Sequence, residues 1–184
     1  MRTRTQEGKT TVTESPEVAT WLLDDDSTFP NNPDLPLVVY KSAFRLAASD
    51  PAEGIEALFH AHHWPPAWRF GVFNFHHYHS TAHEVLGVFA GSGRLLFGGP
   101  DGVTVEAQAG DAIVIPAGVA HKCLISKCFR VVGAYPRGQD FDMNRGEPGE
   151  RPAADHHIAE VPLPDADPVL GEDGPLLRHW SGRG

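Results

Sequence analysis

Short apolar or alternating runs, separated by glycine-rich turns, fill the middle of the chain. Over residues 68–135 these runs read WRFGVFNF, EVLGVFA, RLLFG, VTVEA, AIVIPAG, VAHKCLI and FRVVGAY. Turn signals at such short intervals predict an antiparallel all-β sandwich or barrel, with its core at about residues 68–136. We expect hairpin turns at GPDG, residues 99–102, and at GSG, residues 91–93.

The segment before this region predicts one helix. Asp50 can cap its start, Pro51 suits the first helical position, and Glu53 stands at the capping-box spacing. Apolar residues then recur at helical spacing, and the helix is expected to end near residues 64–65. Residues 1–18 are polar and lack periodicity, so they are expected to be disordered.

From residue 137 onward the chain is rich in proline, glycine and acidic residues. This composition predicts a long irregular C-terminal strap, residues 137–184, that packs on the barrel and carries a short strand at residues 158–161. The sequence shows no internal repeat. Residues 19–184 are therefore predicted to form a single domain.

Charge and composition exclude several classes of protein. The formal net charge is −9, which argues against binding to nucleic acid and against attraction to an anionic membrane surface. No apolar run approaches the ~20 residues of a membrane span, and the basic N-terminus has no apolar core typical of a secretory signal. We therefore expect a cytoplasmic protein in which the two cysteines, Cys123 and Cys128, are reduced.

Histidines are in excess, and their positions predict a metal site. In an extended segment His77 and His79 point the same way, and Glu84 opens the next apolar run, where an unpaired carboxylate is costly. A fourth ligand is expected from His121, which follows a turn built by Pro116 and Gly118. Three imidazoles and one carboxylate suit a divalent transition metal ion: iron, zinc, manganese, nickel or copper.

Two stretches together resemble the paired motifs of the cupin superfamily. The matching positions are, in the first stretch, Gly71, His77, His79, Glu84 and Gly91, and in the second, Gly110, Pro116, Gly118 and His121. The resemblance implies a double-stranded β-helix, the jelly-roll cupin barrel, with one metal held by His77, His79, Glu84 and His121. The second motif departs from the family at Ile125, where cupins usually have an asparagine that is not a ligand.

A wider resemblance covers about residues 20–180. The segments PNNPDLPLVVY, HHYHSTAHEVLGV, VIPAGVAHK, VVGAYP and VPLPDADPV are similar to the YjlB-like family of stand-alone, single-domain bacterial cupins. The activity of that family is uncertain, so the resemblance implies the fold and the metal rather than the reaction.

Alternation along the strands predicts the residues that line the barrel interior. Counting by two from the ligands gives the candidate substrate-binding residues Arg69, Phe73, Phe75, Leu86 and Cys123. Arg69 could clamp a carboxylate or could be a surface ion-pairing residue, and Cys123 could be plain filler. His83 falls on the face opposite Glu84 and is expected at the surface or at an interface.

These observations leave several functions open. The leading hypothesis is a metal-dependent enzyme that acts on a small organic molecule: a dioxygenase-type oxidoreductase with Fe(II), or an isomerase or lyase with Zn(II) or Mn(II). The alternatives are a non-catalytic cupin that binds or senses a small molecule, and a purely structural metal. No catalytic residue is identifiable. Unpaired strand edges need covering, so a homodimer is expected.

Overall fold

A computed structural model describes residues 9–181 of the chain. Within these residues the chain is mainly β-structure with three α-helices and one 3-10 helix at Pro136–Gly138. The strands are β1 (Thr11–Val12), β2 (Glu17–Leu23), β3 (Asn32–Lys41), β4 (Phe44–Arg45), β5 (Pro66–Phe70), β6 (Glu84–Phe97), β7 (Val103–Gln108), β8 (Ala112–Ile115) and β9 (His121–Ala134). The helices are α1 (Pro51–Ala61), α2 (Ala153–Glu160) and α3 (Pro175–Trp180).

Seven of the strands form one antiparallel sheet in the order β2-β3-β8-β6-β9-β5, and β7 pairs with β6 beside this path. The start of β6 pairs with β8, whereas its end pairs with β7, and β9 pairs along most of its length. The predicted all-β barrel is thereby confirmed. The sheet path begins at β2 and ends at β5, and a homodimer formed through such edges stays a prediction.

Alternating residues of the central strands belong to two different apolar layers. Val85 faces a layer under α1, while Leu86 faces the barrel interior, as the period of two requires. The next residue is Gly87, where a Cβ atom would lie 2.5 Å from Ile55 Cγ2 and 2.8 Å from Phe59 Cζ. A glycine at this point lets α1 pack directly onto the sheet.

The predicted N-terminal helix is confirmed as α1. Asp50 caps it by accepting a hydrogen bond from the Glu53 N–H at 3.1 Å, and Pro51 is its first residue. The helix ends at Ala61, a few residues earlier than expected. Its buried face carries Ile55 and Phe59.

The GSG prediction is wrong, whereas the GPDG prediction is confirmed. Residues 91–93 lie inside the continuous strand β6 and do not form a hairpin turn. Gly91 has φ +67, and the pairing with β9 shifts register beside it, so these residues form a bulge. Residues 99–102 do connect β6 to β7, and the Gly102 N–H donates to the Gly99 carbonyl at 3.1 Å.

Both ends of the described chain are more regular than their composition indicates. Disorder was expected over residues 1–18, of which residues 1–8 lie outside the described part. In the rest of this segment β1 pairs with β4, and β2 begins at Glu17. In the strap the strand expected at residues 158–161 is wrong, because Ile158 belongs to α2. Ala154 and Ile158 are four residues apart and both buried, which is the spacing of a helix face.

None of the helices within residues 9–181 has the length and apolar character that crossing a membrane requires.

Candidate metal centre

Three histidines meet at one end of the barrel interior. His77 and His121 face each other across a β-bridge, with N–H to carbonyl distances of 3.2 and 2.9 Å, and their ring centroids are 4.1 Å apart. His79 completes the group, and one ring nitrogen from each histidine lies within 4.8 Å of the others. All three side chains are buried. The three histidines could therefore bind a metal ion.

The tautomer of each imidazole is set by a backbone carbonyl. Nδ1 of His77 lies 3.2 Å from the Phe75 carbonyl, and Nδ1 of His121 lies 3.1 Å from the Val119 carbonyl. Nδ1 of His79 contacts the carbonyl of Asp142. Because a carbonyl can only accept, each Nδ1 carries a proton, and in the neutral imidazole Nε2 is left with a free lone pair. This is the arrangement that metal-ligating histidines adopt.

Glu84 completes the set at the start of β6. Its Oε2 lies 3.3 Å from Nε2 of His121 and 3.6 Å from Nε2 of His79. Its Oε1 accepts a hydrogen bond from the Tyr135 hydroxyl at 2.8 Å. Within the described residues Oε2 is buried and has no hydrogen-bond donor. A buried carboxylate oxygen without a donor is costly, and a cation bound between Oε2 and the imidazoles would offset that cost.

The protonation states of Glu84 and His77 suit metal ligation. Burial opposes ionisation of Glu84, but His79 and His121 outweigh it and hold the pKa of the carboxyl well below its usual range. Burial, reinforced by the neighbouring His121, lowers the pKa of His77 to about 3. The pKa of His79 is raised because Glu84 outweighs the effect of burial. At neutral pH Glu84 is therefore ionised and His77 is neutral, as ligation requires.

A cavity of about 380 Å³ opens onto this group. The three histidines, Glu84 and Tyr135 lie together in its wall, and most of the other lining side chains are apolar or aromatic. The lining residues are Trp68, Arg69, Phe70, Gly71, Val72, Phe73, His77, His79, Glu84, Leu86, His121, Tyr135, Phe141 and Met143.

The structure brings the four predicted ligands together but divides the predicted substrate-binding residues. Phe73 and Leu86 line the cavity. Phe75 stacks on Phe73, with ring centroids 4.8 Å apart, and is not among the residues that line the cavity. Cys123 does not line it either, since its Sγ contacts the Ile125 carbonyl at 3.2 Å.

Arg69 does not present its guanidinium as a clamp. Its Nε donates to Glu56 Oε1 at 2.5 Å, and its Nη1 donates to Asp50 Oδ1 at 3.0 Å, both on the outside of the barrel. The surface ion-pair alternative is therefore the one that the structure shows. Arg69 therefore lies at the edge of the cavity, as the alternation predicted, but its guanidinium is held by Glu56 and Asp50.

The surface position expected for His83 is wrong. His83 is fully buried, its Nδ1 accepts a hydrogen bond from the Ala117 N–H at 2.9 Å, and its ring packs on Trp180 with centroids 4.7 Å apart. Trp180 is the last residue of α3, so a helix of the C-terminal strap buries the His83 ring.

Sequence reasoning missed Tyr135, Trp68, Phe141 and Met143 as lining residues. Tyr135 directly follows β9, and its hydroxyl contacts the candidate ligand Glu84. Phe141 and Met143 belong to the strap. Their only local signal was the alternation of polar and apolar residues in QDFDMN, residues 139–144.

Comparisons with known proteins decide the family. The Cupin family matches residues 71–126, which hold all four candidate ligands. The uncharacterized protein YjlB of Bacillus subtilis (strain 168) is 42% identical over 165 residues, which make up 89% of this chain and 97% of that protein. The chain belongs to the cupins, in the YjlB-like family. The resemblance seen in the sequence is thereby confirmed.

Solved structures similar to this cupin are distant. A DUF861 family protein of Thermotoga maritima shares 22% identity with a TM-score of 0.31, over 46% of this chain and 89% of that chain. A salicylate 1,2-dioxygenase from Pseudaminobacter salicylatoxidans shares 13% identity with a TM-score of 0.31, over 72% of this chain and 31% of that chain. Similarity at this level does not indicate a shared reaction.

Proposed function

We propose that this cupin binds one divalent transition metal ion through His77, His79, Glu84 and His121, and that it is a metal-dependent enzyme acting on a small, largely apolar organic molecule. A dioxygenase-type oxidoreductase is the favoured class. The observation that carries the proposal is the convergence of three imidazole Nε2 atoms and the donor-free Oε2 of Glu84 at the polar end of an apolar cavity.

The donor set fits the ion. Neutral imidazoles and one carboxylate suit iron, zinc, manganese or nickel, and the carbonyl contacts at Nδ1 already orient the three rings. When bound, Fe(II) would supply dioxygen activation, whereas Zn(II) or Mn(II) would polarise a carbonyl group.

Tyr135 holds the carboxylate of Glu84 in one orientation. Its hydroxyl donates to Oε1 of Glu84 and accepts a hydrogen bond from Nε1 of Trp68 at 3.0 Å. Since both partners of the hydroxyl are fixed, Oε1 is occupied and Oε2 is left directed at the imidazoles. The chain thus prepares one oxygen of Glu84 for the ion.

The wall of the cavity favours a substrate that is apolar away from the metal. The side chains of Phe70, Phe73, Leu86, Phe141 and Met143 offer no hydrogen-bond donor, and only the Met143 sulfur is a weak acceptor. A substrate would therefore place its polar group at the metal end and its apolar part against these side chains. Such packing excludes water from the reacting end.

The acid–base groups of the cavity favour an oxidoreductase over an isomerase or a lyase. Proton transfer needs a base with a pKa near the working pH. Apart from the four candidate ligands, the titratable groups of the described lining are Arg69, which is ion-paired outside, and Tyr135. Burial, the charge of Glu84 and the hydrogen bond to it raise the pKa of Tyr135 well above its usual range. Tyr135 is therefore a poor base at neutral pH.

Elemental analysis of the protein purified from its own host, combined with oxygen-electrode assays, tests the proposal. We expect about one equivalent of metal per chain, and oxygen uptake when small aromatic or diketone compounds are added to the iron form. Tight binding of such compounds without turnover would support a binding cupin instead. Protein that takes up none of these ions would contradict the metal centre itself.

Replacing Glu84 with glutamine is expected to lower the metal affinity by up to about tenfold, because an amide oxygen can still coordinate but lacks the charge. Competition against a chelating dye measures the affinity. Glu106→Gln is the matched control, since Glu106 is exposed and pairs with Arg94. An affinity of Glu84→Gln equal to that of the control would remove Glu84 from the ligand set.

A further inference from the structure

Residues 140–144 of the strap run beside the segment that carries His79. Tyr78 and Asn144 exchange two backbone hydrogen bonds of 2.9 and 3.0 Å. The Thr81 hydroxyl donates to the Asp140 carbonyl at 2.9 Å and accepts from the Asp142 N–H at 3.0 Å. The strap segment is therefore attached on both sides of Asp142.

Asp142 makes the central contacts of this attachment. Its backbone carbonyl accepts from Nδ1 of His79. Its carboxylate accepts the Ser80 N–H at 2.6 Å, the Ser80 hydroxyl, and the side-chain amide of Asn144 at 2.8 Å. Three donors thus fix the carboxylate, and the fixed carboxylate holds the carbonyl of the same residue against His79.

His79 differs in this respect from the other two histidines. His77 and His121 bond to carbonyls two residues before themselves, at Phe75 and Val119, so their orientation is set by their own segments. The carbonyl that serves His79 lies 63 residues away in the chain. Its position depends on how the strap is held.

We infer that Asp142 is a positioning residue for His79, which makes the C-terminal strap part of the metal centre. This inference rests on the proposed function. The same segment also reaches the substrate cavity, because Phe141 lines it, stacks on Tyr135 at 4.4 Å and contacts the His79 ring at 5.1 Å between centroids. One strap segment thus supports both a ligand and the cavity wall.

The test compares Asp142→Ala with Asp140→Ala, using Co(II) as the probe. Asp142→Ala removes the carboxylate but keeps the backbone carbonyl, and it is expected to lower the Co(II) affinity about tenfold and to change the visible absorption spectrum of the bound ion. Asp140 is exposed, and its side chain makes no hydrogen bond or ion pair to the residues described. Asp140→Ala is therefore expected to match the wild type in both readouts.

Two further variants keep the test decisive. Asp142→Asn retains an oxygen for the Ser80 N–H and is expected to recover part of the affinity and the wild-type spectrum. If Asp142→Ala does not fold, Thr81→Val takes its place, because it removes both hydroxyl contacts to the strap with little change of shape. We expect a loss of affinity in the same direction.

The outcomes separate this inference from the function on which it rests. If the wild-type protein binds neither Co(II) nor any of the other metals considered, the proposed function is contradicted. Wild-type protein that binds Co(II), together with an Asp142→Ala variant of equal affinity and unchanged spectrum, would overturn the role of Asp142 and leave the metal centre standing.

Discussion

Replacing His121 with alanine is expected to lower the metal content of the purified protein at least about tenfold, and His77→Ala is expected to do the same. Each change removes one imidazole Nε2 from a group whose ring nitrogens lie within 4.8 Å of one another. The barrel should remain folded, because the backbone bridge between residues 77 and 121 does not depend on either side chain. Elemental analysis together with circular dichroism measures both effects.

His60→Ala is the control for loss of a histidine. His60 is exposed near the end of α1 and belongs neither to the histidine cluster nor to the cavity lining, so its replacement should leave the metal content unchanged. Wild-type stoichiometry in both His77→Ala and His121→Ala would remove these residues from the ligand set.

Phe59→Ala is expected to lower the free energy of unfolding by about 3–5 kcal/mol, because it deletes a fully buried aromatic side chain. Phe59 packs edge-on against Phe44, with centroids 6.0 Å apart, and lies over Gly87 of β6. The strands on one side and the helix on the other prevent the space from collapsing. Urea unfolding at neutral pH measures the change.

The neighbouring His60→Ala again serves as a control, with an expected change within about 0.5 kcal/mol for an exposed position. A loss below about 1 kcal/mol for Phe59→Ala would mean that α1 does not hold the sheet in the way described.

The candidate ligands could be proposed from the sequence because each one stands in a recognisable local pattern. His77 and His79 are two residues apart, and Glu84 and His121 each stand beside a recognisable turn or apolar run. In an extended backbone, side chains two residues apart point to the same face, which gives the direction of His77 and His79. The type and the start of α1 were predictable for the same reason, since Asp50 caps the helix within its own first turn.

Contacts that carry no local pattern could not be predicted. Counting by two placed Phe75 in the cavity, but the regular strand ends at Phe70 and the count loses its phase before residue 75. His83 was expected at the surface, and α3 covers it only because the end of the chain returns to the barrel. Phe141 lines the cavity because hydrogen bonds hold the strap there, and the short alternation in residues 139–144 does not show what the strap packs against.

The strand order also governs how the chain can fold as it leaves the ribosome. Strand β3 can pair with β2 as soon as both have been synthesised. Its other edge pairs with β8, where Tyr40 is opposite Ala112, so that edge stays unpaired until β8 has been synthesised. At a synthesis rate of about 5–20 residues per second, the intervening segment takes several seconds to emerge. During that interval Leu37, Val38 and Val39, which are buried in the finished protein, lack their partners. The outer edge of β3 therefore stays unpaired until β8 has emerged, and the central sheet can close only in the second half of synthesis.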